Sequence, residues 1–254
     1  MEKIDFNLKG KIALITGASR GIGEAIAMTL ADYGAHCILV SRKADALEGV
    51  AKKIAERGGS AEVMACNVGD LSKIEGMFAQ IRQRFGKLDI LINNAATNPY
   101  FGEMTGADEG VWEKTFDVNL KGPFFLIKHA VPLMTESGGG SIVNVSSVNG
   151  MKPAPYQGIY SITKAGLISM TQAYAKELAA RNIRVNALLP GLVDTNFSKA
   201  IMQNEDIHNF AIRSIPMNRH AVPREIAGVV LYLVSDAASF TTGGSFVVDG
   251  GALA

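Results

Sequence analysis

Two hydrophobic periods alternate along this chain, and that alternation constrains its fold more than any other feature. Short β-rich runs at residues 11–16, 38–41, 61–67, 88–93, 141–145, 183–190 and 246–249 are separated by segments with helical spacing. Ile74, Met77, Phe78, Ile81 and Phe85 form one helical stripe, and Ile226, Val229, Val230 and Leu233 form another. Several runs are apolar at consecutive positions, such as Ile90-Leu91-Ile92, rather than at every second one. Strands of that kind are buried on both faces, which requires helices above and below a parallel sheet. The expectation is an α/β fold, a doubly wound parallel sheet of about seven strands flanked by helices. In such sheets ligands bind beyond the carboxyl ends of the strands, so the residues just after each run are the candidates for function.

The chain has 254 residues, 48% of them hydrophobic, enough for one domain over residues 1–254 with a core on each sheet face. Its 25 basic and 24 acidic side chains leave no strong field for a polyanion, which argues against nucleic acid or an acidic membrane as partner. No run approaches the length needed to span a bilayer, and neither end carries a recognisable address, so a cytoplasmic protein is expected. Cys37 and Cys66 fall in or beside apolar runs, where small thiols pack. His36, His129, His208 and His220 lack metal-ligand spacing, so no metal is expected.

One stretch breaks the rhythm. Residues 192–222 are too long for an ordinary connection and carry Phe197, Ile201, Met202, Phe210, Ile212, Ile215 and Met217. A solvated loop has no need of that apolar density; the segment reads as a substrate lid, or else as a structural helical insert.

The first run leads into Thr16-Gly17-Ala18-Ser19-Arg20-Gly21-Ile22-Gly23, which opens a helix. Glycines here let the backbone approach a pyrophosphate, whose charge the free N–H groups at the helix start stabilise. Glycines also mark ordinary tight turns, but the strand-to-helix setting favours a nucleotide. No Lys-Ser or Lys-Thr follows Gly23, so a dinucleotide fits better than a nucleoside triphosphate. After the second run, Ser41-Arg42-Lys43 stands where an NAD site would carry an acid for the ribose hydroxyl. Arg42, with Arg20, is suited to a 2′-phosphate, pointing to NADP(H) over NAD(H). The competing reading leaves Arg42 solvated and gives the ribose to Asp45.

Tyr160-Ser161-Ile162-Thr163-Lys164 opens a helical segment, placing Tyr160 and Lys164 one turn apart on one face. A phenol with an ordinary pKa of about 10 needs a neighbouring positive charge to work near neutrality, and Lys164 is placed to supply one. Such pairs also occur by chance on surfaces. Ser147, at the end of the fifth run, presents a hydroxyl able to hydrogen-bond a substrate oxygen. Asn119 sits within a helical segment, where it either positions a water or marks a kink.

Taken in order, Thr16 to Gly23, Asn93-Asn94-Ala95, Asn119, Ser147, Tyr160 with Lys164, and Pro190-Gly191 resemble the short-chain dehydrogenase/reductase family along essentially the whole chain. The resemblance implies a Rossmann-type fold in which Tyr160 protonates a carbonyl oxygen and Ser147 orients the substrate. Lys164 would bind the nicotinamide ribose and lower the tyrosine pKa, and Asn119 would hold a relay water. It also implies cofactor contacts from Gly17, Ser19, Arg20, Gly21, Ile22 and Gly23, and from Ser41, Arg42, Lys43, Asn67 and Val68. Asn94, Ala95, Ala96, Pro190, Gly191, Val193 and Thr195 would line the same site beside Tyr160 and Lys164. Two positions depart from the family pattern: Ala96 replaces a usual glycine and Asn67 a usual aspartate. Segments 94–102 and 190–198 look like those of the NADPH-dependent carbonyl and retinal reductases of animals, which implies a small carbonyl or alcohol substrate with apolar or aromatic groups. Tyr100, Phe101, Met151 and Tyr156 suit such groups, though they equally suit a core. A 3-oxoacyl-carrier-protein reductase shares every catalytic residue and ranks second, because residues 134–140 lack a basic patch for an acidic carrier. A non-catalytic dinucleotide sensor is a remote third reading. Many relatives are tetramers, so a homotetramer is expected.

Overall fold

A computed structural model describes residues 5–198 and 205–254, without the side chains of 206 and 207. Seven strands form one parallel sheet: β1 (Ile12–Thr16), β2 (His36–Ser41), β3 (Ser60–Ala65), β4 (Ile90–Asn93), β5 (Gly140–Val145), β6 (Ile183–Pro190) and β7 (Ser245–Val248). Their order is β3-β2-β1-β4-β5-β6-β7, so the winding reverses between β1 and β4. The seven runs expected from the sequence are these strands, with ends differing by at most two residues.

Helices α1 (Gly21–Asp32), α2 (Asp45–Glu56) and α8 (Pro223–Val234) cover one face; α3 (Leu71–Phe85), α5 (Gly122–Glu136) and α6 (Gly158–Leu178) cover the other. Consecutive residues of β1 show why the runs are continuously apolar. Ala13 and Ile15 pack with α1 and α8, while Leu14 packs with α3 and α5, and all three are fully buried. Each such Leu or Ile contributes about 2 kcal/mol relative to exposure.

Local signals set the helix ends. Asp70 caps α3 by accepting from the Ser72 N–H (3.1 Å), and Gly86 ends it in the left-handed region at φ 68°. Asp108 caps α4 (Glu109–Phe116) through the Val111 N–H (2.8 Å). Segment 192–222 contains α7 (Glu205–Arg213) and leaves and rejoins the fold at one place. Val193 bridges Ala221, the Asp194 N–H donates to Ala221 O (2.9 Å), and the Ala221 N–H donates to Leu192 O (3.0 Å). Ile201 and Met202, expected in the lid, lie outside the described residues. No helix among the described residues is long and apolar enough to cross a membrane.

Candidate active site

The site is built along the carboxyl edge of the sheet, beginning at the reversal point. The Thr16 hydroxyl, fully buried at the end of β1, donates to Ile92 O (3.1 Å) and accepts from the N–H groups of Asn94 (3.0 Å) and Ala95 (3.1 Å). Asn94 Nδ2 donates back to Thr16 O (2.9 Å) and Gly17 O (3.2 Å). These bonds lock the turn after β4 onto the glycine turn. Gly17 (φ 67°) and Gly21 (φ 62°) occupy the left-handed region. A Cβ at Gly23 would overlap Gly17 O and approach Asn94 Nδ2 to 2.5 Å, so only glycine lets α1 begin this close to the strand end. Arg20 provides no side-chain cap, leaving the first N–H groups of α1 open to an anion. Ser19 and Ile22 are half-buried within the turn. A turn with glycine at 17, 21 and 23 before an uncapped helix start fits a dinucleotide pyrophosphate.

Beside it, Ser41 Oγ donates to Lys43 O (2.8 Å), while Arg20, Arg42, Lys43 and Asp45 are exposed. The three basic side chains form no ion pair with a carboxylate among the described residues. Asn67 Oδ1 accepts from the Gly69 N–H (3.2 Å), which shapes the turn after β3. Val68 is buried, and a Cβ at Gly122 would lie 2.5 Å from its carbonyl oxygen, so this loop rests on the start of α5.

Asn119 is buried within a π-helical turn, Asp117–Lys121, that joins α4 to α5. The kink read from the sequence is therefore a widened turn, a common device at functional sites. The Asn119 side chain accepts from the Thr97 N–H (2.8 Å) and donates to Thr97 O (2.8 Å) and Thr163 Oγ1 (3.2 Å). Its two N–H donors are thus engaged with protein groups. Thr163 Oγ1 donates in turn to Tyr160 O (2.7 Å), which ties the loop after β4 to the first turn of α6.

At the end of β5, Ser146 Oγ donates to Lys164 O (2.8 Å) and fixes α6 against the strand. Ser147 Oγ accepts from the Asn149 N–H (3.1 Å) and lies close enough to the Tyr160 phenol to influence its acidity. Tyr160 is 7% exposed and Lys164 2%. Burial pushes the phenol well above its usual value and the Ser147 hydroxyl pulls it partly back. Burial also brings Lys164 down to about 7. Its Nζ donates to Val145 O (2.8 Å) and lies 5.5 Å from the centre of the Tyr160 ring. The sequence reading has Lys164 making the phenol more acidic; in this structure the largest cause of both shifts is burial.

After β6, Pro190 is buried, the Gly191 N–H donates to Val248 O (3.0 Å), and a Cβ at Gly191 would lie 2.8 Å from Asp249 Cα. Thr195 lies beside the glycine turn: a Cβ at Gly21 would meet its Cγ2 at 3.2 Å. Two residues on, the Phe197 ring lies 5.5 Å from that of Tyr160, inclined at 45°. Phe101 and Tyr156 pair at 5.9 Å on the loops after β4 and β5. The Gly102 N–H donates to Tyr156 O (3.0 Å), and Tyr156 sits at φ 62°, a strained setting for a bulky residue. Among the described residues no cluster is suited to a metal ion.

The two arms of the site, residues 16–23 with 94–95 and 146–164 with 119, thus meet at one edge of the sheet. Ala96 is half-buried beside the first arm. Sequence reasoning missed Thr16, Ser146 and Thr163. The only signal for them was a hydroxyl residue beside a motif position.

A family profile described as enoyl-(acyl carrier protein) reductase matches residues 17–252. Human dehydrogenase/reductase SDR family member 4 is 39% identical over 96% of this chain and 88% of its own length. A 3-oxoacyl-(acyl-carrier-protein) reductase of Thermotoga maritima is 38% identical over 96% of this chain and 98% of its own. A crystal structure of a proposed NAD(P)-dependent gluconate 5-dehydrogenase from Beutenbergia cavernae, with bound NADP, superposes with a TM-score of 0.94. It is 33% identical and covers 98% of each chain. With the glycine turn, Ser147, Tyr160 and Lys164 disposed along one sheet edge, these likenesses establish that the chain belongs to the short-chain dehydrogenase/reductase family of oxidoreductases.

Proposed function

We propose that this oxidoreductase uses NADP(H) to interconvert a carbonyl and a secondary alcohol, working on apolar or aromatic ketones and aldehydes. The observation that carries the reading is the buried Tyr160 phenol, set against half-buried Ser147 at the same sheet edge as the glycine turn. When bound, the dinucleotide supplies or accepts the hydride. The glycine turn holds its pyrophosphate, Arg20 and Arg42 favour a 2′-phosphate, and Asn94 and residues 190–195 line its inner side. Ser41, Lys43, Asn67 and Val68 border the adenosine end.

Tyr160 Oη donates its proton to the substrate oxygen while Ser147 Oγ holds that oxygen in line. A phenol kept protonated by burial suits the role of acid. Lys164, brought to about 7, exchanges its own proton near neutrality and returns one to the phenolate. Asn119 fixes the loop on which a relay water would rest. Residues 192–222 act as the lid over the substrate within one domain. Trp112, Phe124 and Ile162 are apolar side chains left half-exposed on three helices, which supports a homotetramer, and two free thiols accord with the cytoplasm.

The test is Tyr160→Phe assayed with NADPH across a carbonyl panel. Turnover is expected to fall about a thousandfold with NADPH affinity retained, and substantial remaining activity would refute the assignment. A second reading, 3-oxoacyl-carrier-protein reduction, is favoured by the Thermotoga maritima relative. A clear preference for acyl-carrier-protein substrates over aryl ketones would establish it instead.

A further inference from the structure

We infer that Phe197 is a specificity-determining residue: its ring covers the catalytic phenol from one side and offers its outer face to a flat, apolar substituent on the substrate. This rests on the carbonyl-reduction reading above.

The contact is built rather than incidental. Phe197 lies on a turn pinned by buried Ser198, whose Oγ donates to Val193 O (2.6 Å) and accepts from the Thr195 N–H (3.1 Å). The Ser198 N–H donates to Thr195 O (3.1 Å), closing the turn. The base of that turn is fixed where Val193 bridges Ala221. Phe197 is therefore presented from a rigid support, not from a free loop.

Its environment is two-sided. The ring packs at a tilt beside Tyr160, which is 7% exposed, yet Phe197 itself remains 49% exposed. A large apolar surface left open beside a reacting oxygen is stabilised by covering it with another apolar group. An aromatic ring satisfies it best, through tilted or offset stacking. The ring itself offers a hydroxylated or charged substituent no hydrogen-bond partner. The same turn touches the glycine turn through Thr195, so the wall of the substrate site stands on the wall of the nucleotide site.

The test compares Phe197→Ala and Phe197→Leu with the native enzyme, using an aryl methyl ketone and an alkyl methyl ketone. In Phe197→Ala, kcat/KM for the aryl ketone is expected to fall about tenfold, with the alkyl ketone little changed. Phe197→Leu keeps the cover but loses the stacking, so its aryl preference falls as well. A second readout needs no turnover: hydroxyl-radical footprinting of Tyr160 should rise severalfold in Phe197→Ala and stay near native in Phe197→Leu. Equal losses for both ketones, or unchanged footprinting in Phe197→Ala, would overturn the inference. If the native protein reduces neither ketone, the carbonyl reading and the substrate preference fail together, and the footprinting still decides whether Phe197 covers Tyr160.

Discussion

Lys164 lies one helical turn beyond Tyr160 on α6, with its Nζ 5.5 Å from the phenol ring centre and bonded to Val145 O rather than to the phenol oxygen. Burial is the main cause of both shifts: it raises the phenol well above its usual value and brings the amine down to about 7.

That burial makes stability depend on pH. An unfolded lysine titrates near 10.4 and the folded Lys164 at about 7. Between those values the unfolded chain holds the extra proton, so stability rises with pH across the window and is least below it. Tyr160 acts in the opposite sense only above about pH 10, where the folded state alone keeps its proton. Thermal unfolding between pH 7 and 9.5 should show a rising Tm that is flattened in Lys164→Met. Parallel profiles for the two proteins would contradict the burial of this amine.

The glycine turn offers a steric test. In Gly23→Ala the new methyl group meets Gly17 O and Asn94 Nδ2, both held in place by the Thr16 network. Overpacking of this kind costs about 1–3 kcal/mol. The urea midpoint should drop, and fluorescence titration should show NADPH binding weakened more than stability alone accounts for.

The proposed preference for NADP(H) can be tested at Arg42. In Arg42→Glu a charge-assisted contact to a 2′-phosphate becomes a repulsion, so kcat/KM with NADPH should fall by about ten- to a hundredfold while NADH is little affected. Asp45→Ala should leave the NADPH value in place. If Asp45→Ala instead abolishes use of NADH and Arg42→Glu is silent, the ribose is held by the acid.

The cysteines should be inert in the native protein. Burial pushes Cys37 up to about 12 and Cys66 up to about 11, so neither carries appreciable thiolate at pH 8. Iodoacetamide should label neither until urea is added, as mass spectrometry would register. Rapid native labelling of Cys66 would mean that the end of β3 opens.

The sheet was legible because burial on two faces leaves a mark at every position of a strand, as at Leu14 between Ala13 and Ile15. Tyr160 and Lys164 were legible because helical spacing puts them on one face. What that spacing does not carry is solvent exclusion, which comes from strands and loops far away in the chain, and so the direction of both pKa shifts was hidden. The kink at Asn119 could be read from a poor helix former, but its bonds to Thr97 and Thr163 depend on how three segments meet. Thr16 stood in the glycine motif without a role of its own, since a hydroxyl at a strand end looks like any turn residue until its three bonds are drawn. Phe197 was counted among apolar residues of an insert; its place against Tyr160 follows from the Ser198 turn.

The single bridge between Val193 and Ala221 gives the fold a kind of socket. The chain that runs from 194 to 220 enters and leaves at adjacent points, and near its end the Met217 N–H donates to Gly250 O (3.1 Å) in the turn after β7. Exchanging that segment between relatives, with the tie from Met217 to Gly250 kept, should move substrate preference while the strands keep their register.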